Sequence, residues 1–171
     1  MEKYSPYISV ARIDYELLDL ANELNADYRD KEGVIILGVL NGAIHFVSDL
    51  TRKLNFQHEL AFVKLSSYGN EQKSSGNVDV IKNWSGSLKG KHILILEDML
   101  DTGLSMQTLL KTIEVDEPAS VKIAALIYKK ESTVKPNYHC FVIPQDIFII
   151  GYGFDNQGGD RHLPNIMQLN K

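Results

Sequence analysis

Apolar positions along this chain follow two different periods. From Val10 the residues Val10, Ile13, Leu17, Leu20, Leu24 and Tyr28 recur at steps of three and four, the spacing of one helix face, and Ser9 stands where a side chain caps a first turn. The spacing predicts an amphipathic helix. After the polar break RDKEG comes VIILGVL, Val34 to Leu40, short and apolar throughout, which predicts a strand buried on both faces. Asn41-Gly42-Ala43 interrupts it. Helical spacing returns through Ile44, Val47, Leu50 and Leu54, and HELAFVKL from His58 predicts a second strand.

Ser66 to Asn77 reads SSYGNEQKSSGN, without periodicity and rich in Ser and Gly, so a long loop is expected. Such loops are commonly lids or disordered linkers, and both readings stand for Glu71 to Asn77. VDVI from Val78 suits a short strand, SGSLKGK a turn, and HILILED from His92 a further strand. Met106, Leu109, Leu110 and Ile113 form one helix face that Pro118 ends. SVKIAALIY and DIFIIGYGF supply the last strands. Strands alternating with helices predict right-handed crossovers and an α/β fold, a mostly parallel twisted sheet flanked by helices. Ligands of such sheets collect at the carboxyl ends of strands near a topological switch point. That rule singles out Asn41 to Ala43, Glu97 to Ser105, and the segment from Lys129 onward.

Composition acts mainly by exclusion. The 171 residues, 44% hydrophobic and 23% charged, fit one folded domain spanning 1–171. A formal net charge of -4 offers no basic track, so no nucleic-acid partner is expected. Cys140 is the only cysteine, which rules out an internal disulfide and a multi-cysteine zinc site and points to a reducing, cytoplasmic setting. The opening MEKYSPYISV lacks the pattern of a leader, and no apolar run approaches the ~20 residues that span a bilayer, so no membrane association is expected. His45, His92, His139 and His162 show no ligand spacing and read as structural. Cys140 and its neighbour His139 would point to opposite faces of a strand, so the thiol reads as buried and inert.

Candidate chemistry concentrates in HILILEDMLDTGLSM, His92 to Met106. Thr102-Gly103-Leu104-Ser105 presents two hydroxyls and a run of N–H groups at a helix start, donors that suit a phosphate. The GxxxxGK[ST] spacing is absent, which favours a monophosphate over a triphosphate. Glu97 and Asp98, acceptor-only when ionised, match adjacent hydroxyl donors such as a ribose diol. One loop then holds a ribose 5-phosphate. Asp101 stands just before the cradle, where a phosphate disfavours its charged form and makes it a better proton acceptor. The competing reading is a solvated acidic turn.

ILILEDMLDTGLSM resembles the phosphoribosyl pyrophosphate (PRPP) signature of type I phosphoribosyltransferases: four apolar residues, paired acids, then Asp-Thr-Gly. LGVLNGA, SSYG and GYGFDNQGGDRHLP resemble, in order and spacing, segments of hypoxanthine-guanine phosphoribosyltransferases, and the resemblance runs from about Ile8 to Gln168. It implies that family's fold, with a small hood formed by the N- and C-terminal segments. It implies an enzyme of purine salvage that transfers 5-phosphoribosyl from PRPP to hypoxanthine or guanine, giving IMP or GMP and pyrophosphate, with Mg2+ as its cofactor. Homodimers or homotetramers are usual in the family. The rival readings are a xanthine-preferring transferase and a PRPP-sensing, nucleic-acid-binding regulator of the same fold.

The resemblance also assigns residues. Glu97 and Asp98 bind the ribose hydroxyls, Asp101 faces purine N7 as the base, and Asp101, Thr102, Gly103, Leu104 and Ser105 hold the 5-phosphate. Leu40, Asn41, Gly42 and Ala43 grip pyrophosphate through their backbone, with a cis peptide expected between Leu40 and Asn41. Many relatives carry lysine or arginine at the Asn41 position, so this chain lacks that side-chain charge. Lys129 corresponds to the lysine that donates to the purine 6-oxo group, with Lys130 competing for the role. Phe148 stacks on the purine and Ile149 meets its edge. Asp155 belongs to the purine-binding residues with Lys129, Phe148 and Ile149 and also joins Glu97 and Asp98 around magnesium, and Arg161 contacts pyrophosphate. Ser67 and Tyr68 belong to a flexible lid over 66–80 that shields the reacting sugar from water.

Overall fold

The structure, a computed structural model, describes residues 4–67, 78–84 and 86–170. Along the chain run β1 (Tyr4–Ile8), α1 (Val10–Tyr28), β2 (Val34–Leu40), α2 (Ile44–Thr51), β3 (His58–Ser67) and β4 (Val78–Asn83). They are followed by β5 (His92–Leu100), α3 (Leu104–Glu114), β6 (Ser120–Lys129), β7 (Tyr138–Ile143), β8 (Ile149–Ile150) and β9 (Ile166–Leu169). No helix among the described residues is long and apolar enough to cross a membrane.

Six strands form the main sheet in the order β4-β3-β2-β5-β6-β7. Every neighbouring pair is parallel except β3 and β4. From β2 the chain proceeds to β3 on one side and later returns to β5 on the other, so the switch point lies between the carboxyl ends of β2 and β5. The sequence forces this sheet to be covered on both faces. On β2, Val34 and Ile36 pack to one side with Leu94 and Leu96 of β5. Ile35, Leu37 and Val39 pack to the other with Ile93 and Ile95, the period-two alternation of a strand. The first side is closed by α1 and α2, the second by α3.

Helix α1 begins where expected: Ser9 is extended (φ -76°, ψ 155°) and its side chain accepts from Arg12 N at 3.3 Å. Ile13, Leu17, Leu20, Leu24 and Tyr28 are all buried along one face, and each such side chain contributes roughly 1.5–3 kcal/mol when taken from water. Val10 begins the predicted series but stays exposed. Helix α2 stops at Thr51, short of Leu54, with Arg52 as its C-cap and Thr51 Oγ1 donating back to Val47 O at 2.7 Å.

A second sheet, in the order β1-β9-β8, joins the two ends of the chain, with Tyr4 opposite Leu169 and Ile149 opposite Gln168. This is the hood that the resemblance implied. DIFIIGYGF contributes only Ile149 and Ile150, since Gly151 turns the chain at φ +83°. HILILED continues past Asp98 to Leu100. Strand β3 runs through Ser67 and β4 opens at Val78, so the loop expected over 66–80 is shorter at both ends. Tyr68 and Glu71 to Asn77 lie outside the described residues.

Candidate active site

Three segments meet at the switch point. The first leaves β2 as Leu40-Asn41-Gly42, and the Leu40–Asn41 peptide is cis, as the resemblance implied. The second is the end of β5 with the turn into α3. A side chain on Gly42 would collide with the Asp98 carboxyl, standing 2.5 Å from its Cγ and closer still to Oδ2. Only glycine permits that approach. The third is the loop after β8, where Gly153 lies against the Gly42 carbonyl so closely that a methyl would stand 3.1 Å from Gly42 C and nearer still to its oxygen.

The turn into α3 has the form a phosphate site needs. Gly103, at φ +85°, is the N-cap and supplies no side-chain cap, and the first turn of α3 carries no acidic residue. The leading N–H groups of a helix have no intrahelical acceptor, so this end is a ready anion site. A cleft of about 240 Å3 opens there, lined by Glu97, Asp101 and Thr102 to Ser105 together with Leu40. The turn is braced from behind. Thr133 N and Oγ1 donate to Thr102 O at 3.0 and 2.8 Å, and Gln107 Nε2 donates to Thr133 Oγ1 at 2.8 Å. Thr133 and Gln107 carry no motif and sequence reasoning passed over them.

Glu97 and Asp98 differ from two freely ionised acceptors. Burial pushes the Glu97 carboxyl well above the ordinary carboxylate range, and the neighbouring Asp98 carboxylate raises it further. Burial raises Asp98 too, opposed by a hydrogen bond from Glu97, by N–H donors including Met99 N at 2.9 Å, and by the charge of Arg161. The upward push is thus stronger on Glu97, where burial and the neighbouring carboxylate act together, than on Asp98, where donors and Arg161 oppose it. The cause is packing that no local pattern announces: Glu97 is 8% exposed, with Leu40, Leu65 and Val39 along the same cleft.

Lys129 and Asp101 come together as well. Lys129 is 6% exposed, and its Nζ lies 3.5 Å from Asp101 Oδ1 and donates to the Gln145 carbonyl at 3.0 Å. Lys130, the competing lysine, is exposed. Gln145 Nε2 also donates to Asp101 Oδ1. Gln145 was not foreseen. The available signal was its position just after an apolar run, YHCFVIP, at the same edge of the sheet as Lys129. Phe148 follows with half its surface exposed, and Ile149 is buried in the hood.

Asp155 and Arg161 hold each other. Arg161 Nη2 is 2.8 Å from Asp155 Oδ1, Arg161 Nη1 donates to Gly153 O at 2.5 Å, and Asp155 Oδ2 accepts from Gly158 N at 2.8 Å. Asp155 is thus taken up within its own loop and does not join Glu97 and Asp98 in a three-carboxylate cluster. Among the described residues no three His, Cys, Asp or Glu side chains converge as metal ligands. The adjacent Glu97–Asp98 pair still suits Mg2+, which takes one or two carboxylates and draws its remaining oxygens from water and substrate phosphates. Ser67 ends β3, and Tyr68 lies outside the described residues. Cys140 is half-buried, its thiol pushed up to about 12 by burial, in keeping with an inert role.

The sequence matches the phosphoribosyl transferase domain over residues 11–157. It is 39% identical over 157 residues to a hypoxanthine-guanine-xanthine phosphoribosyltransferase of Tritrichomonas foetus, covering 90% of this chain and 85% of that one. It is 36% identical over 162 residues to a hypoxanthine-guanine phosphoribosyltransferase of Bacillus subtilis, covering 93% of this chain and 89% of that one. A solved hypoxanthine phosphoribosyltransferase of Trypanosoma cruzi, complexed with the product IMP, superposes with a TM-score of 0.90 at 30% identity, covering 99% of this chain and 92% of that one. Switch-point loops, phosphate turn and hood thus sit in a shared framework, and the chain belongs to the phosphoribosyltransferase family, among the hypoxanthine-guanine phosphoribosyltransferases.

Proposed function

We propose that this enzyme transfers the 5-phosphoribosyl group of PRPP to a 6-oxopurine, hypoxanthine or guanine, giving IMP or GMP and pyrophosphate. The observation that carries the reading is the buried Lys129 ammonium beside the Asp101 carboxylate, one turn of chain from an uncapped helix N-terminus. A lysine has donors and no acceptor, so it welcomes a carbonyl at purine position 6 and opposes the amino group of adenine. Asp101 takes the proton from N7 as the bond from C1′ to pyrophosphate breaks and the bond from C1′ to N9 forms. Thr102 to Ser105 hold the 5-phosphate. Arg161 and the backbone of Leu40 to Gly42 hold the leaving pyrophosphate, while Asp155 orients Arg161 through their ion pair. Phe148 offers a face for stacking and Ile149 an edge contact.

Mg2+ fits the Glu97–Asp98 pair, and when bound it neutralises charge on pyrophosphate. The pair also receives the ribose hydroxyls, with both carboxyl groups as acceptors. Placement and electrostatics carry more of the rate than proton transfer. The names of the two curated relatives differ on xanthine, so the base is settled by assay. PRPP-dependent nucleotide formation is measured with Mg2+ across hypoxanthine, guanine, xanthine and adenine. Turnover of hypoxanthine or guanine above adenine is expected, and a preference for adenine or xanthine would refute this assignment. Asp101→Asn should lower kcat by about a hundredfold, within the usual range for a lost proton acceptor, while the Kd for PRPP stays near its original value. Loss of PRPP binding by a folded variant would make Asp101 a ligand holder instead.

A further inference from the structure

Gln145 belongs to none of the roles above, yet it touches both groups that face the base. Its side-chain Nε2 donates to Asp101 Oδ1. Its main-chain carbonyl accepts from Lys129 Nζ at 3.0 Å, and Nζ stands 3.5 Å from the same Asp101 oxygen. These three residues come from the turn after β5, the end of β6 and the loop after β7, so the triangle exists only in the fold.

The distances carry the argument. A charge-assisted bond between ammonium and carboxylate closes to about 2.7–2.9 Å when nothing prevents it. Here the pair stays open at 3.5 Å, because Gln145 engages both partners. The carbonyl of Gln145 draws Nζ towards itself, and its amide covers the Asp101 oxygen to which lysine would otherwise collapse. A collapsed pair would spend the lysine's donor and the aspartate's acceptor on each other. Held open, Lys129 donates one hydrogen bond, to the Gln145 carbonyl, and keeps N–H donors for a ligand. Asp101 Oδ2 accepts no hydrogen bond from a described residue. A free Lys129 donor and the Asp101 Oδ2 acceptor are left, matching the carbonyl oxygen on C6 and the N–H at N7, which flank C5 on one purine edge.

The orientation of the amide supports a functional reading. Reversed, the amide would set Oε1 against the Asp101 carboxylate, so only the observed orientation suits that neighbour. It leaves Oε1 buried without a hydrogen-bond partner. A buried acceptor left unpaired is costly, and such costs persist where a site needs the arrangement. We propose that Gln145 is a positioning residue that holds Lys129 and Asp101 apart and directs each towards the 6-oxo and N7 edge of the base. The inference rests on the function proposed above.

Gln145→Met tests it, since methionine keeps the length and the main-chain carbonyl and removes the side-chain amide, the Nε2 donor together with the unpaired Oε1. The wild type is assayed first for IMP formation from PRPP and hypoxanthine. In Gln145→Met, kcat for hypoxanthine should fall about tenfold and the hypoxanthine-to-adenine ratio of kcat/KM should narrow. The KM for PRPP should stay within about twofold, and the melting temperature should not fall, because the orphaned Oε1 is gone. Gln145→Glu, which sets a second carboxylate against Asp101, should lose more. Wild-type kcat and base ratio in Gln145→Met would overturn this role alone. A loss that follows lowered melting temperature and weakened PRPP binding together would make Gln145 a packing residue. A wild type that makes no nucleotide from any 6-oxopurine would overturn both this inference and the function on which it rests.

Discussion

Gly42→Ala asks how finely the loop proposed to hold pyrophosphate and the carboxylate proposed to hold the ribose diol are fitted. The added methyl would stand 2.5 Å from Asp98 Cγ, whereas carbon atoms rest at about 3.5–4.0 Å. Either the Asp98 carboxyl or the loop must therefore retreat by about 1 Å. A displacement of that size at a reacting centre costs about a hundredfold in rate, or about 2.7 kcal/mol of transition-state stabilisation. The stability cost is smaller. Overpacking costs about 1–3 kcal/mol, offset by about 0.4–1 kcal/mol because alanine narrows the unfolded ensemble, which lowers the melting temperature by no more than about 10 °C. The assay is steady-state nucleotide formation at a temperature where thermal unfolding shows the variant folded. Gly159→Ala serves as control, since its methyl would meet only Asn156 O at 3.5 Å. A Gly42→Ala enzyme within about threefold of wild type in kcat/KM would refute the claim that this contact sets the carboxylate.

The Glu97 carboxyl is raised by burial above its ordinary 4.5, so the folded protein keeps a proton that the unfolded chain has released, and stability falls as pH rises through that window. Glu97→Gln should flatten this dependence in the ligand-free protein while abolishing tight PRPP binding; parallel melting curves for the two proteins from about pH 5 to about pH 8 would contradict it. Lys129→Ala removes the donor expected at the 6-oxo group, a bond to a charged group worth about 1.5–3 kcal/mol. The hypoxanthine-to-adenine ratio of kcat/KM should fall about 10- to 100-fold, and an unchanged ratio would place recognition of position 6 elsewhere.

Segments whose neighbours in space are also neighbours in sequence could be read directly. The face of α1 from Ile13 to Tyr28 and the run HILILED announce themselves by period and length. The phosphate turn does so by placing Thr-Gly between a strand and a helix. Strand β7 hid because His139 and Cys140 dilute its alternation, and it packs only as the last strand of a sheet whose order the sequence does not print. Strands β1 and β9 hid because each is defined by the other, Tyr4 against Leu169, across nearly the whole chain. The same division runs through the site. Residues Glu97 to Ser105 run contiguously from the end of β5 through the turn into α3 and were legible as a group. The upward shift of the Glu97 carboxyl depends on burial by residues from other strands, and the place of Gln145 depends on three loops meeting at one edge.

Contact through backbone ties these parts together. Asp98 rests against Gly42, Gly42 O against Gly153, and Gly153 O holds the Arg161 guanidinium, which in turn pairs with Asp155. Two of the links are glycines that admit no Cβ, so there is little slack between one member and the next. The first member belongs to the central strand of the main sheet and the last to a loop anchored in the hood, where Tyr152 N bonds Leu163 O at 2.7 Å and Gly153 N bonds Arg161 O at 3.0 Å. Charge placed around a leaving group is effective only when its position is fixed in advance. Long side chains alone would leave Arg161 free to follow solvent. A row of close-packed main-chain atoms makes its position a property of two sheets at once, and this is why a small hood built from the chain's two ends belongs beside the catalytic edge of a parallel sheet.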